Sequence, residues 1–275
     1  MSAIQIGLSP DSDGSAVPER YRGVWARTLL ETPGQRDERS FVRWLQARVW
    51  HADLRIPLTA RPDATQQPCA EPDLQQTIRL ASQQGFCGVT QVRQQAEGEV
   101  CTWQRLSDFQ PARQDADAGV MVFETPDRVI ETGIHAPYLE IWERLPDSTG
   151  RYIVLAGMDG SGKDNQERVL VAGRYLMHVR PRCLSWPHDR EAGQSLADLV
   201  ARHPEIAWEM LDFEISFGTL NAGRWTIEHS TLPELEGRSL SCVLQRELES
   251  RAHIMGDFSC GPWRIMEWNC TAPSA

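Results

Sequence analysis

The segment Phe41 to Ile56 reads FVRWLQARVWHADLRI, and in its second half Trp50, Ala52, Leu54 and Ile56 alternate with His51, Asp53 and Arg55. A period of two puts one set of side chains on each face of an extended chain, so this is a half-buried strand and not a helix. At a shift of 125 residues the pattern returns without a gap as Gln166 to Pro181 (QERVLVAGRYLMHVRP), with Leu45 over Leu170, Ala47 over Ala172, Trp50 over Tyr175 and Arg55 over Arg180. Short turns at Ala47-Arg48 and Ala172-Gly173 coincide. Aromatic on aromatic and turn on turn indicate a repeated unit, and the shift is long enough for each copy to be a small domain.

The stretches around this hairpin extend the same reading. Val24–Leu30, Phe41–Gln46, Val49–Ile56, Gly85–Val92, Glu99–Leu106, Gly119–Glu124, Arg128–Gly133 and Tyr138–Arg144 are expected strands, short, β-rich and separated by turn residues. A helix is expected from Pro72 to about Gln84, with apolar residues at helical spacing and Gly85 as its stop, covering or plugging one barrel end. The shift carries its start onto Asp198-Leu199, where Ser195 and Asp198 can cap a helix that Pro204 ends. The fold class is therefore all-β with one short helix per half, arranged as two similar antiparallel β-barrel-like domains from an internal duplication. Residues 1–20 read as a flexible tail, 21–146 as the first domain and 147–275 as the second, joined through Leu145–Gly150 (LPDSTG).

Several function classes are disfavoured. A formal net charge of -10 opposes binding to phosphate backbones and to anionic lipid, so neither nucleic acid nor membrane is an expected partner. Met1 to Gly14 lacks a basic start followed by an apolar run, and the seven Cys are odd in number with no C-x-x-C pair. Buried free thiols in a reducing, cytoplasmic setting are the expectation. The seven His include no pair at H-x-x-x-H spacing, no G-x-S-x-G elbow occurs, and no metal or cofactor is expected. His51 and His178 are placed on outward, solvated strand faces.

Tyr152 to Asp164 (YIVLAGMDGSGKD) invites a phosphate-loop reading through Gly157-x-x-x-x-Gly162-Lys163. That motif needs Ser or Thr next, to ligate Mg²⁺, and this chain has Asp164. The run Arg168-Val169-Leu170-Val171 just beyond is strand-like, so a Gly-rich hairpin turn is expected, and a nucleotide-dependent enzyme using Lys163 is the least favoured of three functional readings.

Gly23-Val24-Trp25 opens the first expected strand after a polar lead, and Gly223-Arg224-Trp225 stands in the second half. At the first position Gly-x-Trp resembles the opening strand of calycin, or lipocalin-like, barrels, where the Trp closes the barrel floor. The pattern also resembles an uncharacterised family of two-barrel proteins with no assigned activity. This chain departs from the calycins in having two halves, no disulfide pattern, and its second Gly-x-Trp late in its half. The resemblance implies a barrel fold and small-molecule binding. Strands that mix aromatic and charged groups supply the candidate ligand-binding residues Trp25, Trp50, Trp103, Arg105, Tyr138, Glu140 and Trp225. Non-catalytic binding of a small, partly apolar ligand is the leading functional expectation, and a protein–protein interaction module is the alternative.

Overall fold

Alternation of the kind seen at Trp50–Ile56 is what a closed sheet requires, since each wall residue faces either the lumen or the outside. The computed structural model describes residues 16–61, 74–112, 115–248, 250–257 and 261–270, and in it the chain forms two closed antiparallel barrels. The first is built from β1 (Gly23–Thr32), β3 (Phe41–Gln46), β4 (Trp50–Ile56), β5 (Gln84–Gln95), β6 (Gly98–Asp108), β7 (Asp117–Thr125), β8 (Arg128–Gly133) and β9 (Leu139–Arg144), with β2 (Gln35–Asp37) folded back on β1 as a hairpin arm. Pairing of β1 with β9 closes it, Trp25 opposite Arg144. The second barrel contains β10 (Tyr152–Met158), β11 (Asp164–Ala172), β12 (Tyr175–Arg180), β13 (Glu214–Asn221), β14 (Arg224–Ser230), β15 (Ser239–Leu248), β16 (Arg251–Gly256) and β17 (Trp263–Asn269), closed by β10 against β17.

Displaced by 125 residues, each barrel strand of the first half overlaps a strand of the second in the same order. The pairing of β5 with β6 shifts register between Cys87 and Gly88. Gly88 is required there, because a Cβ would lie 1.8 Å from the carbonyl oxygen of Gln104. The described part of the expected 1–20 tail is built into the first barrel: Val17 is buried and its N–H donates to the Arg48 carbonyl, and Tyr21 closes the short helical turn Glu19–Tyr21.

Helix α1 (Leu74–Ala81) ends before the expected Gln84, and the expected start at Pro72 lies outside the described residues. Among its described residues the second half holds two α-helices instead of one, α2 (Leu196–Arg202) and α3 (Ala207–Leu211). The capping box at α2 forms as expected, with Ser195 and Asp198 each accepting the other's backbone N–H. None of the three plugs a lumen. Leu80, Leu199 and Met210 enter one apolar cluster with the outer walls of both barrels, so the helices line the seam between the halves.

That seam explains the periodicity. Trp50, Ala52, Leu54 and Ile56 of β4 point out of their barrel and meet Tyr175, Met177 and Val179 of β12 and Ile215 and Phe217 of β13, which point out of theirs. Phe217 stacks on Tyr175 at 5.6 Å between ring centroids. The polar face of β4 is consequently the inner one. His51 and His178 are buried in their lumens, not solvated, because the partner barrel covers the apolar faces that a lone barrel would have turned inward.

One carboxylate ties the seam. Glu267 of β17 accepts the backbone N–H groups of Arg48, Val49 and Trp50 at 2.8, 2.8 and 3.1 Å, across the turn between β3 and β4. Burial still pushes this carboxyl up from its ordinary pKa, so the three donors only partly offset its desolvation. Glu267→Ala leaves those amides without their acceptor and is expected to lower stability by about 1–3 kcal/mol, with Glu267→Gln losing less because it keeps an oxygen. Urea unfolding of the two variants checks this, and equal midpoints for wild type and Glu267→Ala would remove the clasp.

Candidate functional site

Inside the first barrel the lumen divides by chemistry. One end is aromatic: Trp25 and Trp44 stack at 6.2 Å, and Trp103 and Trp142 meet Trp44 edge-on at 5.4 and 5.9 Å. Trp25 donates its indole N–H to the Tyr21 carbonyl at 2.7 Å and lies under the Arg144 guanidinium, 4.9 Å from the ring. These rings fill their end of the lumen.

The other end is charged. Arg55 on the inner face of β4 donates to both Asp53 oxygens at 2.7 and 3.3 Å and stands 3.7 Å from Glu140 on β9. Glu140 also receives Arg27 of β1 at 2.7 Å. Burial opposes the Arg55 charge, but Asp53 and Glu140 outweigh it and hold its pKa well above normal. Directly across the ladder from Glu140 is Glu131 of β8. Burial and then the Glu140 charge push the Glu131 carboxyl up to about 8. Glu131 accepts from the Tyr138 hydroxyl at 2.6 Å and the Trp142 indole N–H at 3.0 Å. Gly119 leaves the room for it, since a Cβ there would come within 2.6 Å of its Cγ.

A cleft of about 690 Å³ opens beside this charged end. Its walls come from the C-terminal end of α1, the approach to β7, the turn between β8 and β9, and the 192–197 approach to α2. Tyr138 and Asp117 line it and connect it to the buried charges, Tyr138 through Glu131 and Asp117 through Arg105 at 2.6 Å. Small apolar side chains, Ala81, Ala116, Ala118, Ala136 and Ala197, lie among these polar groups in the lining. Gln110 fixes the back: its amide N–H groups donate to the Ala81 and Gln83 carbonyls at 2.8 and 2.6 Å, and its oxygen accepts from Leu196 N at 3.0 Å.

Of the seven residues expected from sequence, Arg105, Tyr138 and Glu140 gather at or behind this cleft. Arg105 lies 3.6 Å over the Phe86 ring, between Asp108 and Asp117. Trp25 and Trp103 share the aromatic end of the same lumen. Trp50 is in the seam, with the Arg168 guanidinium 4.8 Å over its ring, and Trp225 is in the second lumen; neither is near the cleft. Sequence reasoning missed Arg55, Glu131 and Asp117. Charge on the inner face of a strand was the available signal, and only barrel closure reveals which face is inner.

The second lumen has its own polar end. His178 Nδ1 meets Glu214 at 2.9 Å and its Nε2 meets Glu167 at 2.8 Å, while Ser216 donates to Glu214 at 2.7 Å. Burial disfavours the imidazolium, but the two carboxylates outweigh it and raise the pKa to about 9. The carboxylates flank opposite ring nitrogens and do not converge, and no metal-ligating cluster occurs among the described residues. His51 is the reverse case. It bonds Thr90 at 2.9 Å, and burial drives its pKa down to about 3. The Gly-rich segment is a hairpin turn between β10 and β11 in which Asp159 accepts the Ser161 and Lys163 N–H groups at 2.9 Å, and Asp164 is occupied by Arg168 and Arg264.

No protein-family model matches this sequence. No curated protein matches it either. Among solved structures, the crystal structure of the uncharacterized protein YLR301w from Saccharomyces cerevisiae is similar at a TM-score of 0.55 and 14% identity, over 90% of this chain and 98% of that one. At that identity the likeness concerns the fold alone, and it spans both barrels. Among the described residues no helix is long and apolar enough to cross a membrane.

Proposed function

We propose that the cleft at the mouth of the first barrel binds a small, partly apolar molecule, and that the chain acts by binding without catalysis. This is the calycin-like reading of the fold with the ligand seated at the barrel mouth, since the aromatic end of the lumen is occupied by its own side chains. The observation that carries it is the cleft itself: about 690 Å³, within the range of small-molecule sites, with alanines interspersed with Tyr138, Asp117 and other polar side chains in its lining. An apolar body fits the alanines, and a polar end fits beside Tyr138 and Asp117. Buried thiols at Cys87, Cys101 and Cys242 support a reducing setting for this activity.

The test is a ligand-observed NMR screen of small amphipathic compounds against wild type and Ala136→Trp, an exposed wall position where an indole fills the cleft. Hits are expected to weaken about tenfold or more in the variant while its melting temperature holds, the loss of roughly 1.4 kcal/mol of contact. Compounds that bind both forms equally, or a screen without hits, would sink the proposal.

A further inference from the structure

A second concavity shares no lining residue with the first. It holds about 360 Å³ between α1, α3 and the turn after β14, with Leu80, Leu211, Leu232 and Pro233 in its lining. Helix α3 buries Ala207, Met210 and Leu211 in the seam and leaves Trp208 at its rim with 48% of its surface exposed. An indole so placed contributes little to the core, and half-exposed Trp beside an apolar groove is the composition of interaction hot spots.

Charge specifies the occupant. Asp212 and Glu234 are the ionisable groups of the lining, and both are acidic. Asp212 is bound to Arg180 at 2.6 Å, whereas Glu234, and the exposed Glu209 next to Trp208 in the chain, make no ion pair among the described residues. The whole chain carries a formal net charge of -10, which repels acidic partners from any such groove.

We propose that this groove docks a short peptide segment of a partner protein that presents one large apolar side chain flanked by Lys or Arg. The apolar side chain lies against Trp208, Leu80 and Leu211, and the flanking cations face Glu209 and Glu234. This groove and the alanine-lined cleft have no lining residue in common.

Random peptides displayed on phage and selected on the full chain test it, followed by fluorescence anisotropy with a labelled synthetic copy of the most enriched sequence. Enriched peptides are expected to pair an aromatic or large aliphatic residue with Lys or Arg, and binding is expected to fall about tenfold or more in Trp208→Ala, which leaves the protein's charge unchanged. Glu234→Lys, at an exposed position, is expected to weaken the same peptide severalfold and supplies the answer if Trp208→Ala does not fold. Ala136→Trp is expected to leave the peptide's affinity as it is. Absence of enrichment, an acidic consensus, or peptide affinity insensitive to both groove variants would overturn the proposal.

Discussion

Replacing His178 with leucine is expected to cost the folded chain about 3–5 kcal/mol, the loss seen when one member of a buried ion cluster is removed and its partners stay behind. Glu167 and Glu214 would then face each other across an apolar side chain with their shared cation gone. The same contact makes stability depend on pH. The folded-state pKa of His178 is raised to about 9, above the ordinary 6.5, so its contribution is fully present below about pH 6.5 and is lost as pH rises through about 9. A shift of that size corresponds to about 3 kcal/mol between the two ends of the window. Glu214 shows the complementary sign, with a pKa lowered by His178 against its own burial, so acid also weakens the pair. Urea denaturation of wild type and His178→Leu from pH 6 to pH 10 measures both effects. Parallel pH profiles for the two proteins would show that the imidazole carries no buried charge.

Arg55→Leu is expected to be comparably severe, at about 3–5 kcal/mol, and for a reason located in the first barrel. Arg55 is the cation bonded to Asp53 and the second cation beside Glu140, after Arg27, and Glu131 sits directly across the ladder from Glu140. Without the guanidinium that end of the lumen holds a surplus of buried acid, and the Glu131 pKa, already at about 8, is expected to rise further. Arg55→Lys is expected to recover only part of the loss, because an ammonium cannot span both Asp53 oxygens while remaining near Glu140. Thermal and urea unfolding at pH 7 are the measurements, and a variant that melts with wild type would mean the lumen is open enough for water to do the work of Arg55.

The strands were legible in the sequence to within a few residues. Phe41–Gln46 and Arg128–Gly133 begin and end where turn chemistry places them, and the 125-residue shift holds for every barrel strand. Which face is inside was not legible. Period two states that Trp50 and His51 point in opposite directions, but the direction of the core depends on what covers the outer wall, and here another barrel does. Trp50 thus belongs to a strand whose apolar face packs in the seam and not in a ligand site, and His51 and His178 face closed lumens instead of water. Tyr138, Glu140 and Arg105 were visible as aromatic and charged residues mixed on strands. Their partners Glu131 and Asp117 stand on the neighbouring hairpin strands, Arg55 of β4 reaches Glu140 of β9 only through barrel closure, and the alanines of the cleft carry no motif at all.

The cleft takes one wall from the strands of the first half and another from the 192–197 segment of the second. Those halves are held by a continuous apolar layer, with Phe41 against Phe217 and Phe109 against Phe213 at about 6 Å, and by Glu267 across the joint. Interlocking rings along that joint oppose hinging of one half against the other. A molecule entering the cleft would thus find the span between the two halves set by that joint.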